Sequence, residues 1–187
     1  MNNKSVNLKS NSGLSYKGKV SVKIKDGKRT VFSKKLKNNG KWPLFLFFAQ
    51  CLTGKYSEAE SQRPNYIQLY NVTNTTKLFD TNTTWNERSS AIKISTSPAV
   101  NYINNTDEDT QQVESASGTL KFTIPFSLIT DKTDINLLVL RSKDLSKYSD
   151  KNVCAYIIVD SKDIIPEELS TKEKYILYID WTLSIQN

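Results

Sequence analysis

The run Tyr175-Ile-Leu-Tyr-Ile-Asp-Trp-Thr-Leu-Ser-Ile185 decides the fold. Tyr175, Leu177, Ile179, Trp181, Leu183 and Ile185 are apolar at every second position, with Asp180, Thr182 and Ser184 between them. Successive side chains of an extended chain leave opposite faces, so this alternation predicts one long strand with one face in a core. Ile176 and Tyr178 interrupt the polar set at its start, which predicts an end covered on both sides.

Working outward, Thr119 to Phe126 alternates in the same way through Leu120, Phe122, Ile124 and Phe126. Ile135 to Leu140, interrupted only by Asn136, and Val153 to Val159 are apolar runs bounded by polar residues, the pattern of central strands with both faces covered. Tyr66 to Val72 reads as a further strand. Near the other end, Gly18 to Lys25 sets Val20, Val22 and Ile24 on one face and Lys19, Ser21, Lys23 and Lys25 on the other. Asp26-Gly27 then follows, a dipeptide favoured in two-residue hairpin turns because glycine tolerates positive φ. Lys28 to Leu36 is the expected return strand.

Pro43 to Gly54 breaks the rhythm. Pro43 suits a first helical turn, Leu44, Phe45, Phe47, Phe48, Cys51 and Leu52 form a wide apolar surface, and Gly54 is placed to stop a helix. A short buried helix near residues 43-53 is expected. Two polar stretches, 71–90 and 104–118, read as long loops, the first tethered by Leu78, Phe79 and Trp85. The sum is a mainly β chain: an antiparallel two-sheet sandwich, jelly-roll-like, with that one helix. The expected organisation is a flexible or docking arm over residues 1-16 and a single sandwich domain over 17-187 that includes a basic hairpin at 17-37.

Charge is distributed unevenly along this plan. The first 41 residues hold twelve Lys or Arg against one acid, Asp26, and the rest hold fourteen against eighteen, so +11 faces −4. Such asymmetry marks a surface suited to something negative, and a chain basic at one end and acidic beyond also suits packing against its own kind. Lysine-rich strands have a second reading, the protection of a sheet edge from unwanted pairing.

Enzymatic chemistry finds little purchase in the composition. The chain has no histidine, and its six glycines fall in no phosphate-loop spacing. Asp107-Glu108-Asp109 lacks the spaced ligands of a calcium loop and reads as a solvated turn. Cys51 and Cys154 sit in apolar runs and read as small core residues. No catalytic residue, metal or other cofactor is expected. The longest apolar stretch, 43–49, is too short for a membrane span, and the first residues lack the apolar region of a signal peptide, so no membrane partner is expected.

Several runs together resemble a known group. Lys17-Gly-Lys-Val-Ser-Val-Lys-Ile-Lys25, Asn38-Asn-Gly40, Trp42-Pro-Leu-Phe-Leu-Phe-Phe-Ala-Gln-Cys-Leu-Thr-Gly54 and Arg63-Pro-Asn-Tyr-Ile-Gln-Leu-Tyr70 resemble small structural proteins of tailed bacteriophages, especially crAss-like phages. Leu120-Lys-Phe-Thr-Ile-Pro-Phe126, Leu137-Leu-Val-Leu140, Ala155-Tyr-Ile-Ile-Val159 and Leu177 to Ile185 continue the cadence. The resemblance implies a non-enzymatic virion component, either a capsid auxiliary or head-fibre anchor or a neck or tail ring subunit. Its implied place is the virion, assembled in the bacterial host cytoplasm, and its implied partners are capsid, portal or tail subunits and further copies of itself.

The residues expected to dock are Lys19, Lys23, Lys25, Lys28, Arg29, Lys34 and Lys35, grouped around the predicted turn. Two other functions remain open at this point. One is a nucleic-acid-binding protein without sequence preference, since lysines contact phosphates but only Arg29 of the block offers bidentate base readout. The other is a carbohydrate-binding sandwich using Trp85, Tyr102 or Tyr148 as stacking platforms.

Overall fold

A computed structural model describes residues 15–37, 39–40, 63–94, 105–106, 113–142 and 152–186. The helix expected near residues 43-53, the acidic run Asp107-Glu108-Asp109, Cys51, Tyr102 and Tyr148 lie outside the described residues. So does the expected arm up to residue 14.

The chain forms the expected antiparallel two-sheet sandwich. Sheet A takes the order β2 (Arg29–Lys37), β1 (Ser15–Asp26), β11 (Ile176–Gln186), β8 (Val113–Pro125) and β7 (Asn105–Thr106). Sheet B takes the order β3 (Asn39–Gly40), β10 (Val153–Ile158), β9 (Leu137–Arg141), β4 (Tyr66–Val72) and β5 (Trp85–Glu87), and β6 (Ile92–Lys93) also pairs with β4. From β8 the chain passes from sheet A to sheet B, and from β10 it passes back into β11. Among the described residues the one α-helix, α1 (Glu167–Ser170), is a single turn.

The strand whose alternation decides the fold is the centre of sheet A. β11 pairs with β1 along one side and β8 along the other, each over eleven registered residues. Leu177, Ile179 and Trp181 are fully buried on its inner face, beside Val20, Val22 and Ile24 of β1 and Phe122 and Ile124 of β8. Ile67 and Leu69 of β4, Leu138 and Leu140 of β9, and Cys154, Ala155 and Ile157 of β10 meet them from sheet B. One end of this core is closed by Phe126, Ile129, Ile135, Ile164, Ile165 and Tyr175, with the Phe126 and Tyr175 rings edge to face at 5.9 Å. At roughly 25 cal/mol per Å² of apolar surface removed from water, burial of this kind contributes most to holding the sheets together.

Sheet B has a second apolar face. All of β9 is buried, because Leu137 and Val139 point away from the main core into a smaller cluster with Tyr70, Val72 and Val153. The chain between β4 and β5 folds over that cluster and contributes Leu78 and Phe79, and β5 adds Trp85. The loop expected over 71–90 is thus held at its expected tethers, and it also contains a 3-10 turn and β5. Asn74 caps a 3-10 turn at Thr75–Lys77 by accepting from the Thr76 and Lys77 amides, and the Trp85 indole N–H donates to the Leu78 carbonyl at 3.0 Å. Asn136 extends the sheet with its side chain: Oδ1 accepts from the Val72 amide at 2.9 Å and Nδ2 donates to the Val72 carbonyl at 3.0 Å. The second expected loop, 104–118, also contains strand, in β7 and the first residues of β8.

The basic hairpin forms with a one-residue shift in its turn. Asp26 pairs with Arg29, so Gly27 and Lys28 are the two turn residues. Gly27 takes φ +57 at the first of them, where a type II′ turn places glycine. β1 opens at Ser15, inside the segment assigned to the arm.

A candidate docking surface on the outer face of sheet A

Strand alternation sorts the basic block into separate groups. With Val20, Val22 and Ile24 committed to the core, Lys19, Ser21, Lys23 and Lys25 are turned outward. The β1–β2 register sets Lys19 opposite Lys37, Ser21 opposite Lys35 and Lys23 opposite Ser33. Across the other side of β1, Lys19 faces Thr182, Ser21 faces Asp180 and Lys23 faces Tyr178. β8 then adds Lys121, in register with Asp180. Neighbours in this lattice stand about 5 Å apart across strands and about 7 Å apart along them.

Four of the seven expected residues, Lys19, Lys23, Lys25 and Lys35, share this face. Lys37 and Lys121 join them, and sequence reading missed both. Lys37 keeps step with Lys35 on the same strand and was within reach of the alternation argument. Lys121 was not, because only the strand order brings β8 to the far side of β11. The other three expected residues lie elsewhere. Lys34 belongs to the opposite face of β2 and pairs with Asp163 at 2.9 Å, tying the sheet edge to the 3-10 turn Ser161–Asp163. Lys28 and Arg29 sit at the hairpin tip, outside the lattice.

Six lysines occupy the described positions of this face against one carboxylate, Asp180. The Asp180 carboxylate lies 3.8 Å from Lys23 Nζ, a long exposed pair of small energetic value. Lys25 lays its ammonium over the Tyr178 ring at 4.9 Å from the centroid, so its aliphatic stem covers the aromatic that interrupts the polar set of β11. Thr119 and Thr182 bond through their hydroxyls at 2.9 Å. Lys19, Lys35 and Lys37 make no ion pair among the described residues, and Lys19 faces Lys37 directly. Like charges opposite one another destabilise a sheet slightly, so a fold that keeps them there gains nothing from that pair in isolation.

Other arrangements carry less chemistry. Trp85 packs edge to face on Tyr70 at 5.2 Å and against Phe79 at 5.9 Å, so its ring is part of the smaller core and does not project as a sugar platform. Arg88 braces a tight loop by reaching Asp131 at 3.4 Å and Asp134 at 3.9 Å, where Asp131 takes φ 42. Burial pushes the Cys154 thiol up to about 12, against smaller lowering effects from a Ser142 hydrogen bond and the Arg141 charge, which leaves it protonated and unreactive. Among the described residues no group of His, Cys, Asp or Glu is arranged to hold a metal ion, and no helix is long and apolar enough to cross a membrane. Comparison of the chain with protein-family models, with curated proteins and with solved structures finds no match in any of the three.

Proposed function

We propose that this protein is a non-enzymatic structural subunit that docks onto an acidic protein surface through the outer face of sheet A, as a component of a bacteriophage virion. The observation that carries the docking role is the lattice of Lys19, Lys23, Lys25, Lys35, Lys37 and Lys121, which among the described residues holds one carboxylate, that of Asp180. A basic face built on paired strands can meet an acidic neighbour without reorganising its backbone, and it steers the encounter from a distance. The virion assignment rests on the sequence resemblance described above, and a sandwich of this size suits a repeating subunit.

Lys19→Glu, Lys35→Glu and Lys37→Glu combined in one chain test the docking role. These side chains are exposed, so the melting temperature should stay close to that of the parent. Binding to immobilised polyglutamate should fall by at least tenfold, and the parent's binding should weaken as salt shortens the screening length from about 10 Å at 0.1 M to about 3 Å at 1 M. Unchanged binding by the triple variant would rule out the face as the docking surface. For the virion assignment, quantitative mass spectrometry of gradient-purified particles should find the chain in fixed ratio to the major capsid protein, and its absence would sink that assignment.

A further inference from the structure

The edges of the two sheets are unequal. β3 and β7 have two residues each, β5 three and β6 two, lengths that offer little to an incoming strand. β2 has nine residues and ends sheet A: β1 is its neighbour on one side, and among the described residues no strand lies on the other. A row of backbone donors and acceptors therefore runs along this edge, and pairing with another chain is the ordinary way such a row is satisfied.

The side chains of β2 say what kind of chain fits. The register shift at Ile24/Lys25 leaves Phe32 to Lys37 as the regular stretch. On its outer side stand Ser33, Lys35 and Lys37, all exposed. On its inner side Phe32 and Leu36 are half-buried at the rim of the main core, and between them Lys34 is engaged with Asp163. A second copy of β2 is a poor partner, because two-fold antiparallel pairing that keeps the core side together sets lysine against lysine, Lys34 on Lys34, Lys35 on Lys35 or Lys35 on Lys37 according to register.

We infer that the outward edge of β2 is a strand-addition site for an extended segment of a partner protein that alternates acidic and apolar residues. The acidic residues lie beside Lys35 and Lys37, and the apolar residues continue the core past Phe32 and Leu36. This inference rests on the docking reading above and adds to it the mode of contact and the pattern of the partner. The backbone ladder supplies affinity that salt does not screen, and the alternation sets register, because a slip by one residue turns acids toward Phe32 and Leu36.

The test titrates the isotope-labelled full chain with a short end-capped peptide of alternating glutamate and valine. The same peptide N-methylated on its valines, and another N-methylated on its glutamates, each lose the donors along one edge and keep every charge. The expected result is a shift of the Phe32 to Lys37 amide signals with slowed hydrogen exchange there. One methylated peptide, the one whose lost donors face β2, should bind at least tenfold more weakly than the other. Equal binding by all three peptides, with β2 amides unprotected and shifts confined to the Lys19, Lys23 and Lys25 face, would overturn strand addition and leave charge docking standing. If neither the peptides nor polyglutamate bind at low salt, both readings fall. A response to duplex DNA and none to the peptides would overturn the inference and make phosphate the partner chemistry.

Discussion

Sheets A and B share one core, but their outer faces differ in kind. The outer face of sheet B around Val139 is a second apolar cluster, roofed by Leu78 and Phe79 from the chain between β4 and β5 and by Trp85 at the start of β5. Among the described residues the outer face of sheet A carries lysines and no such roof. A sheet face is available for recognition when its side chains are charged and solvated, and it becomes structural when they are apolar and the chain folds back over them. The difference between Val139 and Lys23, each on the outward parity of a central strand, is thus the difference between stability and interaction.

A lysine placed on each face puts the comparison at risk. Val139→Lys buries an ammonium inside the smaller cluster, and the expected loss is about 4 kcal/mol or more, read as a collapse of the urea midpoint. Ser33→Lys, on the exposed outer side of β2, should change stability by no more than about 0.5 kcal/mol while strengthening binding to polyglutamate. Equal losses from the two would mean that the outer face of sheet A is packed like that of sheet B, and the docking reading would go with it.

The shared core between the sheets gives a second, pH-dependent contrast. Cys154 is raised in the folded chain from 9.0 to about 12 by burial. Below pH 9 the thiol is protonated in both folded and unfolded chains and contributes no pH dependence. Above it the unfolded thiol ionises while the folded one does not, so stability present below pH 9 is lost as the pH rises towards 12, up to about 4 kcal/mol at the limit. In a Cys51→Ser background the thiol should react with a disulfide reagent at pH 8 only at the rate of unfolding. Fast labelling of the native chain would show the inter-sheet core to be open at Cys154.

A small effect is expected at the rim where sheet A meets the turn before α1. Lys34→Ala removes the ion pair with Asp163 between two partly exposed side chains and should lower stability by about 0.2–1 kcal/mol, most of it gone at high salt. It should leave polyglutamate binding nearly unchanged, since Lys34 stands on the other side of β2 from Lys35. A loss of binding equal to that of Lys35→Glu would erase the distinction drawn between them.

Strands with a strong alternation were legible from residues alone. β11 and β4 appear where the patterns of Tyr175 to Ile185 and Tyr66 to Val72 placed them, to within a residue. The doubly buried character of Leu137 to Leu140 was also visible in its unbroken apolar run. The stretch between β4 and β5 was not legible in the same way, because its Asn and Thr residues look like loop, yet Asn74 caps a turn and Asn136, distant in sequence, completes the backbone bonding of Val72. Those side chains act as structural parts only when a specific backbone group is brought to them. The docking set was half legible for a similar reason: sequence proximity around Gly27 grouped seven basic residues, and strand parity and turn geometry then separated Lys34, Lys28 and Arg29 from the rest.

By itself the sequence determined the β class, the positions of the long strands, the basic hairpin and which side of each strand is apolar, because these follow from period-two patterning and turn chemistry within a few residues. The tertiary structure alone decided the order of strands in each sheet. Among the described residues, that order brought Lys121 and Asp180 into the same lattice as Lys23, covered one outer face with Trp85 and set lysines on the other, and made β2 an edge. Contacts of this kind join residues far apart in the chain, and local pattern carries no information about which strand lies beside which.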